Sequence, residues 1–471
     1  MRKNLVRNLS VNALQLVLNQ VFGLIIFYIL STSLDKNNFG QINLALAILL
    51  AAFNILSLGI DQLVIKRIAS GEAIHTTLSL YVFHVVITGL FFYGLLLSGK
   101  ALFPQAGSAY TLVLLLGIGK LMIFFSTPFK QVVNGLERFK TLAYMSIISN
   151  LIRCICLLVF ALIHTISIHA IIVIFIAGDV TELLFCIYLF NRTIKTRLSF
   201  KWDKVNYVKL LRESIPQTGV VIITSALARF DWIFIGVLLS AVKLAEYSFA
   251  YKVFEMATLP LLAIAPLLIP RFTKLFQQQR INTANLKFLI RIELVVAAFI
   301  VLLLNIYWAP VIDNLTAGKY GTVNIKTIFI LSLCMPFLYI NNFLWTIYFA
   351  QGRLKMILTA FIITLFVNVA GDIALIPHYK NEGAALAFLL SCIAQTLFFL
   401  KKNEIADLNS IWHALVICTA CALCGGFMAK TLLINTWLML PFAIFIYVLL
   451  LLVTTQIRLS DRKTFKELFS W

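Results

Sequence analysis

Hydrophobic residues fill this chain in long blocks rather than short alternating runs. Each block is close to the ~20 residues that a helix needs to cross about 30 Å of hydrocarbon. Fourteen blocks can be placed, at 12–33, 41–63, 77–98, 109–131, 142–163, 168–190, 214–238, 245–270, 288–312, 327–349, 355–376, 384–400, 411–429 and 434–456. The breaks between them are short and polar. Strands of an outer-membrane barrel would be about 10 residues long and would alternate. The pattern therefore predicts an all-α polytopic membrane protein of about 14 transmembrane helices.

The Lys and Arg positions orient the series. With the N-terminus inside, 28 of the 39 basic residues fall on inner segments, 7 on outer segments and 4 within spans. Cytoplasmic loops carry such an excess. A bias that alternates at every loop supports both the span count and cytoplasmic N- and C-termini.

The largest inner connection, 191–213, mixes cations with Leu198, Phe200, Trp202, Val205, Val208 and Leu211. It reads as an interfacial amphipathic linker on anionic headgroups. It separates an N-terminal lobe (1–190, six spans) from a C-terminal lobe (214–400, six spans), with two further spans and a tail in 401–471. A short polar turn followed by an aromatic, Phe39 or Tyr247, opens the second span of each lobe. That likeness suggests parallel repeats.

Composition narrows the class. The chain is 61% hydrophobic and 12% charged, against about 45–50% and about 25% in soluble domains. The basic start lacks a small-residue cleavage site, so the first block is expected to stay as a span. The net charge of +20 is read as loop charge, not as nucleic-acid binding. The eight cysteines lie in apolar segments and suggest no disulfide framework. Cys418, Cys421 and Cys424 form a C-x-x-C-x-x-C run, read as a packing stripe rather than a metal site. His164 and His169 flank one outer turn and are read as surface histidines. No Walker loop is present, and the outer connections are too short for a catalytic domain. A transporter is expected, not an enzyme, with no cofactor beyond a coupling ion.

Ionisable residues inside the spans carry the candidate chemistry, because charge at that depth is costly unless it faces protein or water. Lys120, Arg153, Asp179 and Glu182 lie in spans four to six. Arg229, Asp231, Lys252 and Glu255 lie in spans seven and eight. Each lobe thus holds two cations and two acids. One reading is salt bridges between helices. The other is a hydrated cavity in which Lys120, Arg153, Arg229 and Lys252 attract a phosphate-bearing headgroup, while Asp179, Glu182, Asp231 or Glu255 binds Na⁺ or H⁺. Asn12, Gln15 and Asn19 form a polar patch on span one that either contacts sugar hydroxyls or bonds to neighbouring helices. Asp61, Glu293 and Asp372, near span ends, are read as interfacial. Pro260, Pro266 and Pro270 predict a kink or helix end in span eight.

Four segments in order carry a family resemblance: LGIDQLVIKRIASG (58–71), VNGLERFKTLAY (133–144), RFDWIFIGVLLSAVKLAEYSFAYKVFE (229–255), and 348–391 with its A-Q-G-R-x-K loop, Asn368, L-I-P and G-A-A. Asn134 and Ala245 stand where Gln and Gly are usual. Together they resemble the polysaccharide-transport branch of the multidrug/oligosaccharidyl-lipid/polysaccharide (MOP) flippase superfamily, which includes O-antigen (Wzx-type) flippases. The resemblance implies two six-helix lobes in a V-shaped arrangement that alternate access. Its implied cargo is an undecaprenyl-diphosphate-linked oligosaccharide, moved from the cytoplasmic to the periplasmic leaflet of a bacterial inner membrane. The last two spans would form a lipid-tail groove, and partners would be membrane lipids and the polysaccharide polymerase and chain-length machinery of O-antigen and lipopolysaccharide assembly. Alternatives are a lipid II flippase, a MATE-like drug/cation antiporter or, from another class, a membrane glycan polymerase or ligase.

Overall fold

A computed structural model describes residues 2–102, 107–163, 165–194, 202–261, 268, 272–273, 276, 283–403, 411–432 and 435–458, with the side chains of 2–13, 16, 101–102 and 436–437 left aside. The described residues are helical, with no strands among them. Ten of their helices are long and apolar enough to cross a membrane, and two shorter apolar stretches, Val17–Ser33 and Leu438–Val453, lie in the first and last helices. The protein is a polytopic helical membrane protein.

The chain forms two compact units, Met1–Ala245 and Glu246–Trp471. The first contains α1 (Arg2–Ser33), α2 (Lys36–Leu56), α3 (Ile60–Ala69), α4 (Ile74–Leu102), α5 (Ser108–Gly135), α6 (Phe139–Leu162), α7 (Ile168–Ile194) and α8 (Lys204–Leu238). Helix α9 (Ala241–Ala257) runs across the division. α8 falls in the first unit because it packs along α2 and α3. Gly236 makes this possible, since a Cβ there would stand 2.6 Å from Leu44; Gly40 does the same for the start of α9, where a Cβ would stand 1.8 Å from Ala241 O. Of the 191–213 connection, residues 195–201 lie outside the described residues, and from Lys204 the chain is already α8. Trp202 packs on Phe83 and Tyr207, with ring centroids 5.3 and 4.9 Å apart.

Span two is not one helix. Leu58 and Gly59 take positive φ, 48° and 69°, and end α2 before α3 begins. Asp35 caps α2, and the Asn38 N–H it accepts lowers its pKa. Gly135, at the end of α5, abuts α3: its Cβ would lie 2.8 Å from Ile68 and 3.0 Å from Ile65 O. The 58–71 and 133–144 segments thus meet at one point.

The second unit holds α10 (Thr283–Thr316), α11 (Ile325–Ala350), α12 (Leu354–Lys401), α13 (Ile411–Leu432) and α14 (Thr436–Val453). The A-Q-G-R loop turns at Gly352, in the left-handed region at φ 73°, the usual glycine position after a helix end. Helix α12 is two spans joined at an elbow. Lys380, at φ 54° and ψ −129°, breaks the helix. Across it, a Cβ on Gly371 would meet the Ala387 Cβ at 2.8 Å. Sixteen residues of straight helix would separate those positions by about 24 Å, so the two arms fold back on each other. α13 and α14 pack on α10, and Tyr447 donates to Val295 O at 2.7 Å. Cys418 and Cys421 lie in this apolar core. α9 ends at Ala257, three residues before Pro260; Pro266 and Pro270 lie outside the described residues. Glu293 and Asp372 are 6% and 0% exposed inside this unit, not interfacial as read from the sequence, because both sit on protein-facing sides of α10 and α12.

Candidate functional site

Three helices of the first unit bring charges together. Asp179 on α7 forms an ion pair with Arg153 on α6, and Lys120 on α5 stands 3.9 Å from its other oxygen. Ser149 Oγ donates to Asp179 Oδ1 at 3.4 Å. One turn further along α7, Glu182 pairs with Lys130 of α5. The Asp179 side chain is 1% exposed and that of Arg153 6%, so each needs a partner of opposite charge: an isolated buried ion costs several kcal/mol even after relaxation. The Arg153 guanidinium also lies over the Phe175 ring, 4.7 Å from its centroid.

Room for this cluster comes from glycine. A Cβ at Gly119 would stand 2.5 Å from Asp179 Oδ2, and one at Gly178 3.0 Å from Arg153 Cγ. Small residues let the helices approach and leave space for the ions. Three cations, Lys120, Lys130 and Arg153, thus face two carboxylates. Asp61, on α3, is a third acid within the field of Lys130, and its Oδ1 has no hydrogen-bond partner among the described residues. Lys130 therefore lies between two acids, Glu182 and Asp61, while Lys120 and Arg153 share the single carboxylate of Asp179. The positive excess is local to that pair, in an apolar surround that suits transient contact with an anionic group.

The remaining candidates are placed elsewhere. Arg229 stacks over Trp232 at 4.8 Å and donates to Ala228 O at 2.7 Å. Asp231 is buried and accepts from the Trp232 N–H at 2.8 Å. In the second unit Lys252 donates to Glu255 at 2.7 Å within α9. Asn19 accepts from Asn150 Nδ2 at 3.2 Å, tying α1 to α6. Gln15 is buried, with Oε1 unbonded among the described residues. The Asn12 side chain lies outside the described ones.

Lys130 is the residue that sequence reasoning missed. It lies within the hydrophobic block 109–131 but was counted with the inner loop charges. Its position inside the block was the available signal. His84 is another: fully buried, it bridges Leu56 O at 2.8 Å and Tyr207 Oη at 3.0 Å.

Comparisons with known proteins follow the same lines. No curated protein matches the sequence significantly. The fold is similar to the lipid II flippase MurJ in an inward closed conformation, with a TM-score of 0.75 at 13% identity over 93% of this chain and 97% of that one. It is similar to an inward-facing multidrug resistance MATE family transporter of the MOP superfamily, with a TM-score of 0.66 at 14% identity over 83% and 97%. A MOP superfamily transporter from Pyrococcus furiosus follows, with a TM-score of 0.59 at 13% identity over 84% and 94%. The model of the family described as polysaccharide biosynthesis protein matches residues 5–276. That is more than half of the chain, and it contains every helix of the charge cluster: this protein has the fold of the MOP transporters and belongs to the polysaccharide biosynthesis protein family.

Proposed function

We propose that this chain is a flippase, not an enzyme, that carries undecaprenyl-diphosphate-linked oligosaccharide repeat units from the cytoplasmic to the periplasmic leaflet of a bacterial inner membrane. The observation that carries the reading is the buried cluster of α5–α7, in which two cations, Lys120 and Arg153, share one carboxylate, Asp179. An arriving diphosphate competes with Asp179 for Lys120 and Arg153, and the excess positive charge favours it. Na⁺ or H⁺ taken up by a carboxylate so released couples the cycle to an ion gradient. The six-span lobes 1–190 and 214–400 are the bodies that alternate access, and the product goes to the polymerase and chain-length machinery of O-antigen or a similar surface polysaccharide.

A MATE-like drug/cation antiporter needs the opposite balance, an acidic site for a cationic cargo, so the cluster counts against it. A lipid II flippase is the second reading, favoured by the likeness to MurJ over 93% of the chain. Deletion of the gene separates them. Repeat units should accumulate on the inner leaflet with loss of surface polysaccharide, while lipid II export stays normal. Repeat units that reach the outer leaflet at the normal rate would end the proposal.

A further inference from the structure

The second unit contains a cavity of about 900 Å³ at the end that the charge bias places outside. Three lysines line it from three different helices: Lys326 at the start of α11, Lys380 at the elbow of α12 and Lys430 near the end of α13. The expected outer segments hold seven lysines in all, so close to half of them converge on one cavity. His378 adds a basic group, and Glu382 is the carboxylate of the wall.

None of the three lysines forms an ion pair among the described residues. All three are exposed at the margin of the cavity and so hold their charge without a carboxylate, unlike the buried cations of α5–α7. Like charges gathered at an apolar wall repel one another, and an anion among them relieves that repulsion. The backbone is also held at a cost. Lys380 occupies φ 54°, ψ −129°, the conformation of the first central residue of a type II′ turn, where glycine is usual. Strain of this kind persists where the surroundings or a function demand it.

The rest of the wall identifies the kind of anion. Ile306, Phe329 and Met439 are apolar, and Trp308 and Tyr379 are residues of the membrane–water boundary. Phe329 is 41% exposed and leaves an apolar margin on the cavity. A free inorganic anion gains nothing from such a wall. A lipid uses both parts, with its phosphate among the lysines and its first methylenes on the apolar side. The volume lies within the ~300–1,000 Å³ of small-ligand sites. We infer that this cavity binds the phosphate-bearing headgroup of a membrane lipid from the outer leaflet. Two lipids carry that chemistry, an anionic glycerophospholipid and a polyprenyl diphosphate. The site stands on its own geometry and does not depend on the transport reading.

The test is native mass spectrometry of the full chain, released from nanodiscs that contain phosphatidylcholine with phosphatidylglycerol in one arm and undecaprenyl diphosphate in the other. The wild type should retain one or both phosphate lipids in preference to phosphatidylcholine, and the arm with retention names the source. Each lysine near an anionic lipid contributes about fivefold in affinity. The triple variant Lys326→Gln/Lys380→Gln/Lys430→Gln should therefore retain the lipid roughly 100-fold more weakly, and the matching Arg triple should restore it. The control Lys36→Gln/Lys100→Gln/Lys243→Gln removes the same charge from the outer segments of the first unit and should leave retention unchanged. Equal loss in both Gln triples, or no loss in the cavity triple, overturns the inference. So does inorganic pyrophosphate that binds as tightly as the lipid.

Discussion

Arg67 Nη2 donates to Glu213 Oε2 at 2.6 Å, fastening the short helix α3 to the start of α8 across 146 residues of sequence. Thr218 Oγ1 adds a bond to Leu58 O at 2.8 Å. Gly59 completes the contact, since its Cβ would stand 2.5 Å from the Gln217 Cβ. Glu213 is 40% exposed on its side chain, so the pair contributes at most about 1 kcal/mol, and its role is positional. Glu213→Gln should leave thermal stability nearly unchanged yet speed maleimide labelling of a Gln217→Cys probe in a cysteine-free background. Unchanged labelling would show that the ion pair does not hold α8 in place. Gly59→Ala should be worse, by about 1–3 kcal/mol, because a side chain at φ 69° is strained before it meets Gln217. Thermal unfolding in detergent reads that difference.

The ion pair of Arg153 and Asp179 behaves differently because it is buried. Arg153→Ala leaves a carboxylate with only Lys120 at 3.9 Å and should destabilise the protein by about 3–5 kcal/mol. Arg153→Lys keeps the charge but loses the planar contact over Phe175 and should recover only part of that loss. Midpoint temperatures for the three proteins would rank wild type, Lys and Ala in that order. Equal midpoints would remove the pair from the fold's stabilising contacts.

Lys120 separates transport from stability. Its side chain is 20% exposed, the most of the cluster, and Arg153 remains to neutralise Asp179. Lys120→Gln should fold with a small loss and reduce lipid-linked oligosaccharide transfer by about tenfold or more, the value of one charged hydrogen bond to phosphate. Arg229→Ala tests the same idea on α8. Wild-type transfer by both variants, at normal expression, would restrict these cations to structural roles.

Space at Gly119 can be tested without altering charge. Gly119→Ala places a methyl 2.5 Å from Asp179 Oδ2 and should cost about 1–3 kcal/mol as an overpacked site. Gly178→Ala, with 3.0 Å to the movable Arg153 Cγ, should cost less. A reversed order in unfolding midpoints would mean that Asp179 is the more mobile partner.

Lys380→Gly should raise stability by about 1 kcal/mol in phosphatidylcholine nanodiscs, by releasing the positive-φ strain at the elbow. A lower midpoint would show that the lysine side chain does more for the elbow than its backbone conformation costs.

Much of the architecture was legible because lipid imposes one strong rule, a block of about 20 apolar residues per crossing. That rule delimited the spans but could not see breaks inside them. The turn at Leu58–Gly59 interrupts a block of unbroken hydrophobicity, and its signal, one glycine, is common in membrane helices. The elbow at Lys380 was expected as a loop between two spans, yet nothing in the residue type announced a positive φ. The charge cluster was half legible. Burial cost pointed to Lys120, Arg153, Asp179 and Glu182, and these do lie together. Lys130 was missed because a lysine near a span end reads equally well as a loop charge. The outer cavity could not be found at all, since Lys326, Lys380 and Lys430 are 54 and 50 residues apart in sequence and only the fold brings them to one wall.

Asp179 is shared by two cations on different helices, Arg153 on α6 and Lys120 on α5. A carboxylate in that position can pass from one partner to the other as the helices shift, and no net charge then crosses the bilayer. Membrane voltage, worth about 2.3 kcal/mol per charge per 100 mV, has no purchase on such an exchange. An exchange of Asp179 between the two at constant depth would be electrically silent, and voltage sensitivity would then have to enter with a cargo or a coupling ion.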